Sequence, residues 1–224
     1  SGLRFYERFS IIQMHNLSKL IDVATLLNLL GANAARFDIQ ALGECESTNS
    51  LLLKELETKE FAPHKIRVLT ADLQTKGRGT RGRFWHSSPD NSLVFSVAFR
   101  FDNFEQISGL SLVIGLAVLQ AFENLGIFGG KLKWANDLLF NNQKLGGILI
   151  ELISHVNTHQ NAHQNPHEHN EVSAIIGIGL NLKTPPNIDF HSPKALRAAS
   201  LADICGEQNL PDRHVLLAAL LTDL

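Results

Sequence analysis

The sequence predicts an α+β fold, a mixed but mainly antiparallel sheet with helices packed on one face. Three observations predict it. Apolar residues recur at helical spacing at both ends of the chain, in residues 17–30 and 210–224. A run of strand candidates, mostly joined by hairpin turns, lies between those ends. From Leu93 to Phe101 apolar side chains fall on every second residue, the period of a strand. With 224 residues, 44% of them hydrophobic, the chain can bury a sizeable core.

Each element follows from local chemistry. Leu17, Leu20, Ile21, Val23, Leu26, Leu27, Leu29 and Leu30 share helical spacing, and Gly31 is placed to end that helix. Residues 1–36 are read as a helical lead-in and 37–224 as one domain. Ser47, Thr48, Asn49 and Ser50 offer caps in front of a short apolar helix. Residues 65–73, rich in Ile, Val and Leu, predict a strand that enters a loop. In the next strand Leu93, Phe95, Val97, Phe99 and Phe101 take one face and Ser92, Ser96 and Arg100 the other, which predicts half burial. Ser108 caps a nearly continuous apolar run, 110–125, closed by Gly126; its length favours a buried helix.

Strands follow at 131–139, 145–153 and 174–182, with Asn141, Asn142 and Gln143 as the turn between the first two. Residues 154–171 are almost wholly His, Asn, Gln and small polar residues. Such a segment buries too little apolar surface to hold one shape, so it is read as a polar insertion, with opportunistic metal binding by its five histidines as the alternative. Pro185, Pro186 and Pro193 punctuate a second loop before helices at 196–204 and 210–224.

Composition narrows the function. Twenty Lys and Arg stand against 22 Asp and Glu, so overall charge does not suggest a nucleic acid partner. Cys45 and Cys205 are too few for a disulfide scaffold, which points to a reducing compartment. No apolar run reaches the roughly 18 residues of a membrane span, and no signal peptide is evident, so a cytoplasmic protein is expected.

The chemistry concentrates in one loop. Between Asp72 and Asp90 there is no acidic residue, while Lys76, Arg78, Arg81 and Arg83 fall among Gly77, Gly79 and Gly82. Glycines let backbone amides approach an anion, and guanidinium forks neutralise it, so phosphate is the expected ligand. The spacing also spells a dinucleotide fingerprint, but that motif needs a helix directly after it, and here Phe84, Trp85 and then a strand follow. A nucleic acid module using the same loop and aromatics is the reading from another class. Farther on, Lys133, Asn136, Asp137 and Lys144 lie on adjacent strands, either facing one site or solvated on a surface hairpin. Gly177 and Gly179 inside a strand mark a close ligand approach or a bulge.

Five motifs in register resemble one family. The run from Gly77 to Arg83 with Trp85, the preceding Ser47-Thr48-Asn49 and Gln74, Lys133-Trp134-Ala135-Asn136-Asp137-Leu138, Lys144-Leu145-Gly146-Gly147-Ile148-Leu149 and Ile176-Gly177-Ile178-Gly179-Leu180-Asn181 are similar to biotin protein ligases in order and spacing. The resemblance covers residues from about 18 to the end. Lipoate and octanoate ligases or transferases share that fold, but their arginine-glycine-glycine-glycine signature is missing here.

The resemblance implies a class II synthetase-like catalytic domain that joins biotin to ATP, with Mg²⁺, and passes biotin to a lysine of a biotin carboxyl carrier protein. It implies a biotin site of Ser47, Thr48, Asn49, Gln74, Gly77, Arg78, Arg81, Lys144, Gly147, Gly177 and Gly179. The nucleotide would meet Arg78, Arg81, Arg83, Trp85, Lys133, Asn136, Lys144 and Asn181. Lys144 and Arg78 would act in catalysis, with Asp137 beside Asn136 as a candidate to orient the incoming amine or to pair Lys133. No protein-built metal site, DNA partner or membrane contact is implied; a side-by-side homodimer is. Thr80 stands where many members carry arginine, which puts retention of the adenylate in question. A catalytic domain without a winged DNA-binding domain or a complete C-terminal β-barrel is expected.

Overall fold

A computed structural model describes residues 20–58, 65–155, 171–184 and 197–224. Most of the His-rich insertion and the Pro185–Pro193 loop lie outside these residues. The elements in chain order are α1 (Val23–Leu30), β1 (Phe37–Cys45), α2 (Thr48–Thr58), β2 (Ile66–Gln74), β3 (Ser92–Phe101), α3 (Leu110–Asn124), β4 (Lys131–Lys133), β5 (Asp137–Phe140), β6 (Gln143–His155), β7 (Glu171–Asn181), α4 (Leu201–Cys205) and α5 (Arg213–Asp223). The seven strands form one sheet in the order β1-β2-β3-β7-β6-β5-β4. Among the described strands only β1 and β2 run parallel; the other pairs are antiparallel.

Caps set several boundaries that periodicity alone places differently. The first helix begins at Val23, because the Asp22 carboxylate accepts from Thr25 N at 2.8 Å and from its hydroxyl at 2.6 Å. The helix expected at 196–204 starts only at Leu201, where Ser200 and Asp203 form a reciprocal capping box. At α3 the cap is Gly109 in the left-handed region rather than Ser108. The strand expected at 131–139 is broken by a turn at Trp134, Ala135 and Asn136, closed by Asn136 N donating to Lys133 O at 3.1 Å. Asn141 and Asn142, both with positive φ, make the tight turn into β6 as expected.

Helices cover both faces of the sheet, not one. On the first face α5 packs against α1 and α3 over Val68, Leu93, Phe95, Val97, Ile176, Ile178 and Leu180. This is the main core, and α5 is buried from Arg213 to Leu221. Arg213 donates to Asp72 on β2 at 2.8 Å, both side chains being buried. Burial drives the Asp72 carboxyl above its usual range, and the Arg213 guanidinium opposes the rise. His214 Nε2 accepts from Asp22 N at 2.9 Å, so the ring proton sits on Nδ1 and faces Asp212 at 2.8 Å, tying α1 to α5. The helix α3 is not wholly buried as its composition suggests: Leu112, Val113 and Leu116 are exposed on its outer side.

Among the described residues the second face carries α2 alone, with Leu52 and Leu56 on Leu69, Ala98 and Ile175. Glu55 of α2 also pairs with Arg67 at 3.1 Å. Consequently β3 is not half-exposed: Ser92 and Ser96 are buried, and among its polar residues only Arg100 reaches solvent. Because α2 is short, part of this face has no helix over it among the described residues, and that gap is the site. Among the described residues no helix is long and apolar enough to cross a membrane.

Candidate active site

Strand register builds the floor of the site. Ala71, Val94, Gly179, Gly147 and Asp137 are successive neighbours across β2, β3, β7, β6 and β5, and one step away lie Leu69, Ser96, Gly177 and Leu149. Neighbouring residues in a sheet share a face, so Val94, Gly179, Gly147 and Gly177 lie with little side-chain volume under the gap left by α2, while Leu69 packs beneath α2 itself. The pairing of β7 is continuous on both sides, which rules out a bulge at Gly177 or Gly179. A Cβ at Gly177 would meet Asn49 Oδ1 at 2.3 Å, and one at Gly179 would meet the Trp85 indole at 2.5 Å. Both glycines therefore make room for side chains that line the cleft.

At one end of the cleft stands a polar cluster. Gln74 Oε1 accepts from Thr48 N at 2.7 Å and from the Thr48 hydroxyl at 3.0 Å, so the end of β2 caps α2. The fully buried Ser96 hydroxyl lies 2.6 Å from both Thr48 Oγ1 and Asn49 Oδ1. Asn49 Nδ2 then donates to Glu151 at 3.0 Å. Burial, helped by neighbouring Glu44, pushes the nearby Cys45 thiol up to about 11, so it stays protonated and is no nucleophile at neutral pH.

At the other end, Lys144 Nζ donates to Asp137 at 2.6 Å and lies 6.0 Å from the Trp85 ring centre. Lys144 and Gly147 are three residues apart and would point to opposite faces of a regular strand. A bulge resolves this. Leu138 pairs with Gly146 and Leu139 with Lys144, so β6 carries Leu145 as an extra residue and Lys144 returns to the cleft side. There its Nζ is 3.5 Å from where a Gly147 Cβ would be.

The glycine-arginine loop forms the roof and is itself a small hairpin. Gly79 N donates to Arg83 O at 2.8 Å, Arg78 bridges Phe84, and the turn uses Arg81 and Gly82 with φ of 60° and 71°. Arg78 donates to Ser50 at 3.0 Å and pairs with Glu151. Thr80 is not idle: its hydroxyl accepts from Arg83 and from Asn136 Nδ2, each at 3.3 Å, and so joins the loop to the β4–β5 turn. Trp85 lies over Gly179 with a buried Nε1 that has no hydrogen-bond partner among the described residues.

Of the residues expected in the site, Ser47, Thr48, Asn49, Gln74, Arg78, Arg83, Trp85, Asn136, Lys144, Gly147, Gly177, Gly179 and Asn181 line this one cleft. Four do not. Lys133 is exposed on an edge strand, cross-strand from Asp137 but not paired with it as an ion pair. Asp137 reaches the cleft only through Lys144. Gly77 and Arg81 instead line an adjoining hollow between the glycine-arginine loop and Glu46, Ser50 and Leu149. Asn181 is held by its amide to Lys144 O at 3.2 Å and Ala199 O at 3.0 Å. Sequence reasoning missed Ser96 and Glu151. A serine amid Phe95 and Val97, and a carboxylate at the end of an apolar strand, are the signals that could have drawn attention to them.

The model of the Biotin/lipoate A/B protein ligase family matches residues 42–163, more than half of the chain. The chain belongs to this family. Within the family it is similar to the bifunctional ligase/repressor BirA of Bacillus subtilis, 34% identical over 63% of this chain and 40% of the relative. It is also similar to the biotin–[acetyl-CoA-carboxylase] ligase of Mycobacterium tuberculosis, 30% identical over 88% of this chain and 66% of the relative. The chain thus spans about two fifths of the length of the BirA relatives it matches. Among solved family structures, the Leishmania major biotin protein ligase with biotinyl-5-AMP superposes with a TM-score of 0.60 at 26% identity, covering 84% of this chain and 74% of that one. The Aquifex aeolicus enzyme with biotin and ATP gives 0.59 at 29% identity, over 84% and 68%. The α+β class and the mixed sheet are those of this family's catalytic fold.

Proposed function

We propose that this chain activates biotin with ATP to biotinyl-5′-AMP and transfers the biotinyl group to a lysine of a biotin carboxyl carrier protein. The observation that carries this reading is the strip of small residues Val94, Gly179 and Gly147, bounded by the Thr48–Gln74–Ser96–Asn49 cluster at one end and Lys144 at the other. A flat, mostly apolar ligand with a polar ring and a terminal carboxylate fits those ends. The solved relatives with biotin, ATP or biotinyl-5-AMP support the choice of ligands.

In the first step a biotin carboxylate oxygen attacks the α-phosphorus of ATP and pyrophosphate leaves. Two anions must meet, and charge grows on the phosphate oxygens. Lys144, held by Asp137, and the guanidinium of Arg78 supply fixed positive charge where that charge grows. Trp85 gives an aromatic face for adenine, and its unpartnered Nε1 is a donor waiting for an acceptor. In the second step the carrier amine attacks the acyl carbon and AMP leaves, with Asn136 at the cleft wall to orient the amine. Among the described residues no cluster of three metal-ligating side chains exists, so Mg²⁺ would arrive on the phosphates of ATP, where it neutralises charge. The free thiols Cys45 and Cys205 support a reducing, cytoplasmic setting.

The test is exchange of labelled pyrophosphate into ATP by the purified chain, with biotin, lipoate, octanoate or no acid added. Exchange that depends on biotin alone is expected. Exchange with lipoate or octanoate but not biotin would move the assignment to the other branch of the family.

A further inference from the structure

We propose that Glu151 is a positioning residue that anchors Arg78 in the cleft wall before substrate arrives. The proposal rests on the reading above for what Arg78 then does. Glu151 stands on β6 beside Ile175 of β7, on the face that carries Gly147 and Leu149. One carboxylate oxygen pairs with the Arg78 guanidinium and the other accepts from Asn49 Nδ2 at 3.0 Å. A single side chain thus joins the loop, the N-terminal turn of α2 and the sheet floor. Asn49 in turn fills the space that Gly177 leaves open, so the anchor also sets how far the amide reaches over the floor.

The chemistry demands a carboxylate at this position. Both partners are donors, a guanidinium N–H and an amide N–H, and only an ionised carboxylate offers two acceptors and no donor. A glutamine would present one oxygen and one NH₂ group, so one of the two contacts would become donor against donor. The fork of Arg78 has five N–H groups; Ser50 takes one at 3.0 Å and Glu151 another, which leaves others to face a substrate anion. Without the anchor, a loop arginine whose side chain is 42% exposed must pay the entropy of ordering at the moment of binding.

The experiment is a double-mutant cycle of Glu151→Gln and Arg78→Ala, read by biotin-dependent pyrophosphate exchange and by trypsin cleavage within Arg78–Arg83 in the ligand-free protein. Glu151→Gln should lower kcat/KM for biotin by about 10- to 100-fold with an unchanged melting temperature, since misplacing one contact costs on that order. In the Arg78→Ala background the same change should cost less than about threefold, because the residue it acts through is gone. Cleavage at Arg81 and Arg83 should also quicken in Glu151→Gln without any ligand. Additive losses, or exchange by Glu151→Gln within about twofold of wild type, would overturn the proposal. If wild type shows no biotin-dependent exchange, the functional reading fails, and the cleavage arm decides the anchor alone: unchanged cleavage rejects it, faster cleavage supports it.

Discussion

Strand β7 shows both faces of the sheet in five residues. Ile176, Ile178 and Leu180 point to α1, α3 and α5 and are buried in the main core, while Gly177 and Gly179, between them, face the side that α2 partly covers. The first face is closed by volume, large apolar side chains meeting three helices. The second is kept open by the lack of it, and polar side chains from a loop and a helix N-terminus occupy the edges. Ion pairs differ in the same way. Asp72–Arg213 is sealed between sheet and helix, whereas Arg78–Glu151 and Lys144–Asp137 border a cleft that a ligand can enter. The comparison teaches that one face holds the fold and the other the chemistry, so substitutions on the two should separate stability from activity.

The sharpest way to break this separation is Arg213→Ala. It strands the buried Asp72 carboxylate, and we expect a loss of about 3–5 kcal/mol in urea unfolding, with exchange per folded molecule near wild type. A loss of stability below about 1 kcal/mol would mean that the core face does not depend on this pair. On the other face, Lys144→Ala should cut exchange by about 10²–10³ with little change in unfolding, as loss of a preorganised charge donor does. Lys133→Ala, on the exposed edge, should stay within about twofold. Equal effects of the two lysines would contradict the geometry.

A finer comparison sets Gly179→Ala against Ile178→Val, adjacent residues on opposite faces. The new methyl must displace the Trp85 indole, so biotin affinity should fall by about tenfold, the lower end of an overpacking cost, while unfolding changes little. Ile178→Val should instead cost about 0.5–1.5 kcal/mol of stability and leave biotin affinity intact. Calorimetric titration beside thermal melts reads both.

The smallest expected effect is a pH dependence on the core side. Burial works to raise the Asp212 carboxyl, but hydrogen bonds from the His214 ring and backbone outweigh it and hold it below the usual range. A depressed folded value means that the stabilisation is present above the unfolded pKa of about 4 and fades as pH falls through the folded value. The difference in melting temperature between wild type and Asp212→Asn should therefore shrink on acidification below about pH 4. A constant difference would show that the carboxylate charge plays no part in tying α5 to α1.

Much of the second face was legible in the sequence because its signals are local. The glycine-arginine loop, the caps before α2 and the paired glycines each show in a few consecutive residues. What pairing decides was not legible. Periodicity says that Phe95 and Ser96 face opposite ways, but not that α2 covers the serine's side. Lys133 and Lys144 look equivalent as a pair of strand lysines, and only the strand order leaves one exposed on the outermost strand while the bulge in β6 brings the other to the cleft. Glu151 is invisible until β6 is laid beside β7, since its partners are 73 and 102 positions away in the chain.

The extra residue in β6 acts like a frame in a code read two letters at a time. Gln143 and Lys144, the residues N-terminal to Leu145 in that strand, owe their side of the sheet to the bulge that absorbs it. Were β6 regular through Leu145, with no bulge to absorb it, the same amino acids would send the Lys144 ammonium toward the packed helices, away from any phosphate. The bulge at this point is as much a part of the site as the lysine itself, and a change that forced Leu145 into regular pairing would keep the letter and lose the meaning.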